Sequence, residues 1–498
     1  MLFNSFIFIF LFLPVTLLGW YGLNHYKHYE LAKVFLAGMS LWFYGYFNAY
    51  YLAIILVSIV ANYLLSYLLT FSKTKLTNRI GLIAGVGFNL GLLFYFKYYD
   101  FFFENINAVF HTDFQLKHIL LPLGISFFTF QQLSFIIDRC TGKAEHYSLV
   151  NYITFVTFFP QLIAGPIVLY KEMIPQFEDT SNRKFNADNF AKGIALFTLG
   201  LGKKVLLADV LALVANYGFA QTFSLDTIST ILVILAYTFE LYFDFSGYSD
   251  MALGLGRMFN IILPVNFDSP YRACSVKEFW QRWHITLSRF FVTYVYIPLG
   301  GSRKGKLRTS INTFTIFLLS GLWHGAAWTY VVWGIIQGIL VVWDNLGIIG
   351  IKGREEKHPS KFHIPAWLGW ICTFSIFNMS LFFFRSESMA GAIQLFKNLF
   401  SFNYTGKMFD VAYKLDIPEF YVIKQVLEMV ASDIVKYAFL LLLLFYLGLS
   451  FFMISRKNAL QITEEGKMTS GRCWIITILF VWCVISLSQV STFLYFNF

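Results

Sequence analysis

Residues 310–346 read SINTFTIFLLSGLWHGAAWTYVVWGIIQGILVVWDNL. Two apolar runs, 310–323 and 326–346, flank a short break at Trp323-His324-Gly325, and Asp344 is the one charged side chain in the stretch. Runs of this kind joined by so short a break read as a helical hairpin in a membrane. The composition extends that reading to the whole chain. Of 498 residues, 57% are hydrophobic, 20% aromatic and 13% charged, whereas a soluble protein carries about 25% charge. An ordinary cytosolic enzyme, a disordered protein and a disulfide-stapled secreted domain are excluded.

Further apolar stretches lie at about 2–22, 33–47, 50–71, 80–98, 119–137, 150–168, 193–218, 227–245, 364–384, 435–454 and 474–496. A crossing helix needs roughly 20 residues to span a hydrocarbon core of about 30 Å. Several runs are shorter or interrupted, so the expectation is an all-α polytopic membrane protein with about ten to twelve crossings plus re-entrant and interfacial helices. The first run has no basic flank before it and no small-residue cleavage site after it, so it reads as a retained span rather than a signal peptide. Residues 158–166, FFPQLIAGP, are the re-entrant candidate, because Pro160, Gly165 and Pro166 free backbone groups that lipid cannot satisfy. Lys203 and Lys204 stand inside an apolar run; they snorkel to an interface, face an internal cavity or mark a helix boundary. There is no internal repeat, low-complexity tract or soluble domain, and residues 1–498 read as a single integral-membrane domain.

Lysine plus arginine totals 38 and aspartate plus glutamate 28, a formal charge of +10. The bases gather in short loops: Lys73, Lys75 and Arg79; Arg303, Lys304, Lys306 and Arg308; Lys352, Arg354, Lys357 and Lys361. Such loops stay cytoplasmic and oppose anionic headgroups, so the expected partners are membrane lipids and not nucleic acid, and the N-terminus is placed outside. The five cysteines, Cys140, Cys274, Cys372, Cys473 and Cys483, have no metal-ligand or CxxC spacing. No metal site, Ser-His-Asp triad or zincin pattern is present.

Two histidines are candidates for chemistry. His324 lies 16 residues beyond Arg308, roughly 24 Å into a helix at 1.5 Å per residue. At that depth a histidine has no stem with which to reach water, so it needs a polar partner or a water-filled tunnel. The surrounding Gly321, Gly325, Ala326 and Ala327 would admit another chain or a substrate. His284 lies in KEFWQRWHITLSR (277–289). At helical spacing Trp280, Trp283, His284 and Leu287 share a face and Glu278 pairs with Arg282, which describes a helix at the headgroup interface. On the residues alone, an anchoring role weighs as much as a functional one. Asp244 and Asp250 read as buried struts to Arg257, Arg272 or Arg282. The following Gly254 and Gly256 form no nucleotide loop, since neither a strand nor GK[ST] accompanies them.

The runs LPLGISFFTFQ (121–131), FFPQLIAGPI (158–167), FDFSGYSDMALGLGRMFN (243–260), LPVNFDSPY (263–271), KEFWQRWHITLS (277–288), YVYIPLGGSR (294–303) and SGLWHGAAWTYVVWG (320–334) resemble the membrane-bound O-acyltransferases, in particular the branch that O-acetylates alginate and peptidoglycan. The closing residues 493–498 also fit. The resemblance implies a family core at about 121–346 with peripheral spans at 1–110 and 364–498, helices around a central tunnel, and catalytic roles for His324 and His284. One departure stands out: relatives commonly carry an Arg-Asp pair before the tyrosine of YVYIPLGG, where this chain has Val292-Thr293.

These readings combine into an expected activity in a bacterial cytoplasmic membrane. A polymer outside the cell has no local acyl thioester, so acetyl-CoA is expected as a cytosolic acyl-donor substrate, with no bound cofactor. His324 is the expected base on the acceptor hydroxyl, with a covalent acyl-histidine as the other route. His284 orients donor or proton at the inner mouth, and Arg282 or Arg289 attracts the donor phosphates. With no Gly-Asp-Ser block of an SGNH-type esterase in the chain, a separate periplasmic SGNH-type O-acetyltransferase is expected to place the group on the polysaccharide. The alternatives are D-alanyl transfer to teichoic acid and a multi-span transporter.

Overall fold

Long apolar runs with few breakers form helices, and the computed structural model of this chain is helical nearly throughout. It describes all residues except 73, 354–359, 416, 431, 467, 489–492 and 495–498. Lys73, Arg354, Lys357 and residues 495–498 of the closing segment thus lie outside the described residues. Among those described, six helices are long and apolar enough to cross a membrane unaided: Phe8–His25, Ala49–Phe71, Lys75–Phe110, Thr227–Met258, Ala366–Arg385 and Ile434–Ser455. The other expected spans are shorter, broken or more polar: Tyr29–Gly45, Ile125–Cys140, Leu149–Thr157, Ala187–Gly202 with Asp209–Ala220, Lys306–His324, Trp328–Asn345 and Ser470–Ile485. The protein is an all-α polytopic membrane protein. Its described β-structure is one short parallel pair, Ile349–Ile351 with Phe362–Ile364.

The axis of the fold is the 32-residue helix Thr227–Met258. Asp226 caps its start by accepting from Ser229 N at 2.9 Å, and its side chains are buried along almost the whole length. Two apolar cores divide along it, one around Phe8, Phe159 and Tyr248, the other around Phe239, Trp283 and Phe377. The helix Ala187–Gly202 crosses this axis at glycines. A Cβ on Gly200 would lie 2.6 Å from Gly247 O, and one on Gly254 would lie 2.6 Å from Gly193 O. Small residues let the two backbones touch, and Gly254 serves that contact.

The close crossing decides the fate of Lys203 and Lys204. They open a π-helical turn, Lys203–Ala208, and both are buried rather than snorkelled. Lys203 Nζ binds Asp250 Oδ2 at 2.6 Å; Lys204 Nζ binds Asp244 Oδ1 at 2.5 Å and Asp209 Oδ1 at 2.8 Å. The carboxylates are struts as expected, but their partners are these lysines and not arginines. Arg257 pairs with Glu464, and Arg282 pairs with Glu278. The reason is depth: the lysines face the axis inside the bundle, whereas the arginines end helices at its rim. Leu494 N donates to the second oxygen of Asp244 at 2.9 Å, which ties the closing segment to the same strut.

Residues 158–166 break the helical ladder as expected. The helix Leu149–Thr157 ends at Phe158 (ψ 110°), one turn follows at Phe159–Leu162, and the whole stretch is buried. Phe159 N donates to Ser40 Oγ at 3.2 Å, and Gln161 Nε2 donates to Phe155 O at 2.8 Å. Irregular backbone here is satisfied by protein, as an apolar environment requires.

Candidate functional site

The helix Lys306–His324 is continuous, so the count from Arg308 to His324 holds as a distance of about 24 Å. It stops because Gly325 is extended (φ −163°, ψ 152°). The return helix Trp328–Asn345 then packs tightly on it, since a Cβ on Gly321 would lie 2.5 Å from Tyr330 O, and one on Gly334 would lie 2.7 Å from Phe317 O. A Cβ on Gly325 would strike the Tyr330 ring at 2.1 Å. Gly321 and Gly325 therefore serve the hairpin contact; Gly325, Ala326 and Ala327 also line a cavity.

A helix that ends inside protein leaves its last carbonyls without intrahelical partners. Here a second helix supplies them. Lys75–Phe110 contains a π-helical turn at Phe94–Tyr98, and from it Lys97 Nζ donates to Trp323 O at 2.5 Å and His324 O at 3.1 Å, while Tyr98 O–H donates to Leu322 O at 2.8 Å. A cation at a helix C-terminus also complements the macrodipole. His324 itself is 4% exposed, with ring centroids of Trp323, Phe384 and Trp333 at 5.0, 5.1 and 5.3 Å.

His284 is not on an interfacial helix. The chain breaks into Val276–Arg282 and Ile285–Phe291, and His284 between them adopts a left-handed conformation (φ 46°) with 1% exposure. The expected shared face with Leu287 fails because this break turns the chain inward. Asn266, from the LPVNFDSPY stretch, holds the break: its Oδ1 accepts from Thr286 N at 3.3 Å and Thr286 Oγ1 at 2.9 Å, and its carbonyl accepts from Ile285 N at 3.0 Å. The same Oδ1 lies 3.1 Å from His284 Nδ1. Because that oxygen can only accept, Nδ1 carries the proton and Nε2 keeps its lone pair. A left-handed non-glycine residue, over-determined by neighbours, is how sites store a specific side-chain direction.

Trp323 stands between the two histidines, its ring centroid 5.9 Å from that of His284 and 5.0 Å from that of His324. Three cavities lie around this cluster. One of about 440 Å³ runs along the middle of the histidine helix, past Thr313 and Ser320, to the far end of the return helix at Val341 and Asn345, with His284, Lys277 and Arg289 on its wall. Another of about 300 Å³ lies past the break, against Gly325, Ala326, Ala327, Tyr330 and Lys97. Beside the latter, sharing Lys97 and Leu121 with it, a neck at Trp323 holds a pocket of about 30 Å³, bounded by Lys97, Gly124, Ser126, Phe127, Trp323 and His324. The two larger cavities therefore lie toward opposite ends of one hairpin, with His284 lining the larger and His324 lining the small pocket beside the other.

Both histidines chosen from the sequence meet here. Of the arginines considered for donor binding, Arg289 lines the larger cavity with its guanidinium on Glu172, and Arg282 is turned away onto Glu278. Lys97, Tyr98 and Asn266 escaped sequence reading. Lys97 closes an expected span and passes for a boundary; an ionisable residue at the end of an apolar run was its only signal. No group of three or more His, Cys, Asp or Glu side chains among the described residues can hold a metal ion.

Comparison with known proteins bears on this geometry. The model of MBOAT, the membrane-bound O-acyltransferase family, matches residues 139–384. The peptidoglycan O-acetyltransferase of Helicobacter pylori is 38% identical, over 100% of this chain and 98% of its own length. A probable alginate O-acetylase of Pseudomonas putida is 35% identical over 100% of both chains. A teichoic acid D-alanyltransferase of Streptococcus thermophilus is 32% identical over 54% of this chain and 69% of its own.

Proposed function

The chain belongs to the membrane-bound O-acyltransferase family, and from that premise we propose that it takes an acetyl group from a cytosolic thioester donor and delivers it across the membrane for O-acetylation of an extracytoplasmic polysaccharide, alginate or peptidoglycan. That it is an acyltransferase follows from the family and from its named relatives. One observation supports the direction of transfer: two cavities lie toward opposite ends of one hairpin, His284 lines the larger, and the Trp323 ring touches both His284 and His324, which lines the small pocket next to the other. The basic ends of the hairpin, Arg303 to Arg308 and Lys352, support a larger cavity toward the cytoplasm and a smaller one outside, by the rule that positive loops remain inside. The same rule favours an N-terminus outside, and the proposed membrane is the bacterial cytoplasmic one.

In this reading acetyl-CoA enters from the cavity of Lys277 and Arg289, and its acetyl carbon reaches the neck. His324, uncharged, removes the proton of an acceptor hydroxyl arriving from the outer cavity as that oxygen attacks the carbonyl. His284, held by Asn266 with Nε2 as acceptor, orients the donor end. Outside, an SGNH-type transferase completes delivery to the polymer. D-alanyl transfer is the second reading; the matching relative covers about half of the chain, against full-length matches to the acetyltransferases.

The experiment is to express the chain in a host deleted for its own copy and measure base-labile acetate on the exported polysaccharide. His324→Ala, inserted at normal levels, removes that acetate. Retained acetylation contradicts the reading, and base-labile D-alanine in its place establishes the second one.

A further inference from the structure

Acyl transfer has two demands, a base for the hydroxyl and a positive group for the carbonyl oxygen that gains charge. The proposed reading names only the first. Beside His324 the pocket of about 30 Å³ has room for roughly two water-sized groups, the size of an acetyl carbonyl and little more. Its wall includes one cation, Lys97, which also borders the outer cavity. An ammonium has three donor hydrogens; two of them are directed to Trp323 O and His324 O. Among the described residues no carboxylate lies within ion-pair distance of it. A helix cap needs no charge, as Tyr98 shows on the neighbouring carbonyl. A charge deep among apolar helices, held by carbonyl dipoles and the face of the Trp323 ring at 5.8 Å and facing a cavity, is expensive unless it is used.

We propose that Lys97 is a third catalytic group, the electrostatic stabiliser of the oxyanion formed when the acceptor hydroxyl adds to the thioester. The proposal rests on the acyl-transfer reading. In the step it serves, the acceptor oxygen bonds to the acyl carbon while its proton passes to His324. The carbonyl electron pair moves onto the oxygen facing Lys97. Collapse re-forms the carbonyl and breaks the carbon–sulfur bond, and the departing thiolate takes the proton from the imidazolium, so the products are an ester and a free thiol. Lys97 stays an ammonium throughout.

The test separates charge from capping. Lys97→Arg keeps a cationic donor for the two carbonyls, and Lys97→Gln keeps a neutral one. Host membranes containing wild type, each variant and His324→Ala are given acetyl-labelled coenzyme A, and the initial rate of ester formation is normalised to folded protein by detergent size-exclusion chromatography. Lys97→Gln is expected to lose about 10²-fold or more in kcat with the donor KM little changed, and Lys97→Arg to exceed it by at least about tenfold. If the glutamine variant does not accumulate, Lys97→Met takes its place. Equal rates for arginine and the neutral variant, or a neutral variant as fast as wild type, would overturn the proposal while leaving the acyl-transfer reading intact. An inactive wild type, or an active His324→Ala, overturns that reading and the proposal with it.

Discussion

Lysines stand in the apolar runs of this protein at two places, and they are handled in opposite ways. At the crossing of Ala187–Gly202 with the axial helix, Lys203 and Lys204 each meet carboxylates, and Lys204 is sealed at 2% exposure. At the neck, Lys97 meets backbone carbonyls and the face of the Trp323 ring, with no carboxylate among the described residues in ion-pair distance, and borders two cavities. A buried charge fully matched by opposite charge is a strut whose removal unbalances the fold. One matched by dipoles, beside a histidine and open space, keeps its field available for chemistry.

The contrast is sharpest in what substitution should damage. At the neck, His324→Ala should lower transfer by about 10²–10⁴-fold, about 2.7–5.4 kcal/mol in the barrier, with the thermal unfolding midpoint in detergent unchanged; a matching loss of stability would erase the distinction. At the strut, Lys204→Met leaves the buried Asp244, and Asp209 beside it, without their cation and should cost about 3–5 kcal/mol of stability, read as a fall in unfolding midpoint and membrane abundance. Neutralising the two carboxylates together with the cation, Asp244→Asn and Asp209→Asn beside Lys204→Met, should recover most of that loss, and no recovery would mean the triad does more than balance itself. Between the two regions in kind, Asn266→Ala should reduce turnover at limiting donor by up to about 10²-fold by releasing the direction of His284, while unchanged turnover would reduce His284 to packing. The smallest effect is expected at the hairpin contact, where Gly321→Ala forces a Cβ to within 2.5 Å of Tyr330 O and should cost about 1–3 kcal/mol together with some activity, because the break beside His324 shifts.

Much of this was legible in the residues. Apolar runs located nearly every helix, since lipid-facing sequence must be apolar and helical at once, and His324 stood out as an ionisable residue far from any basic loop. What escaped was pairing across the fold. Nothing local tells Asp244 to choose Lys204, 40 residues away, over a nearer arginine; the glycine contacts that bury both are a property of two helices together. Likewise Trp280, Trp283, His284 and Leu287 repeat at helical spacing, and only Asn266, in a separate segment, turns that helix into a break. Lys97 looked like the end of a span because its partners are carbonyls, which no sequence pattern reveals.

The central claim is that the acyl group passes from one side to the other through the neck at His324. Right-side-out vesicles of the host membrane, loaded with acetyl-labelled coenzyme A, test it most directly by the appearance of label as ester cleavable by hydroxylamine added outside. The account predicts external labelled ester with wild type and none with His324→Ala at equal abundance. External ester formed by His324→Ala, or wild-type transfer that requires donor and acceptor on the same face, would contradict it.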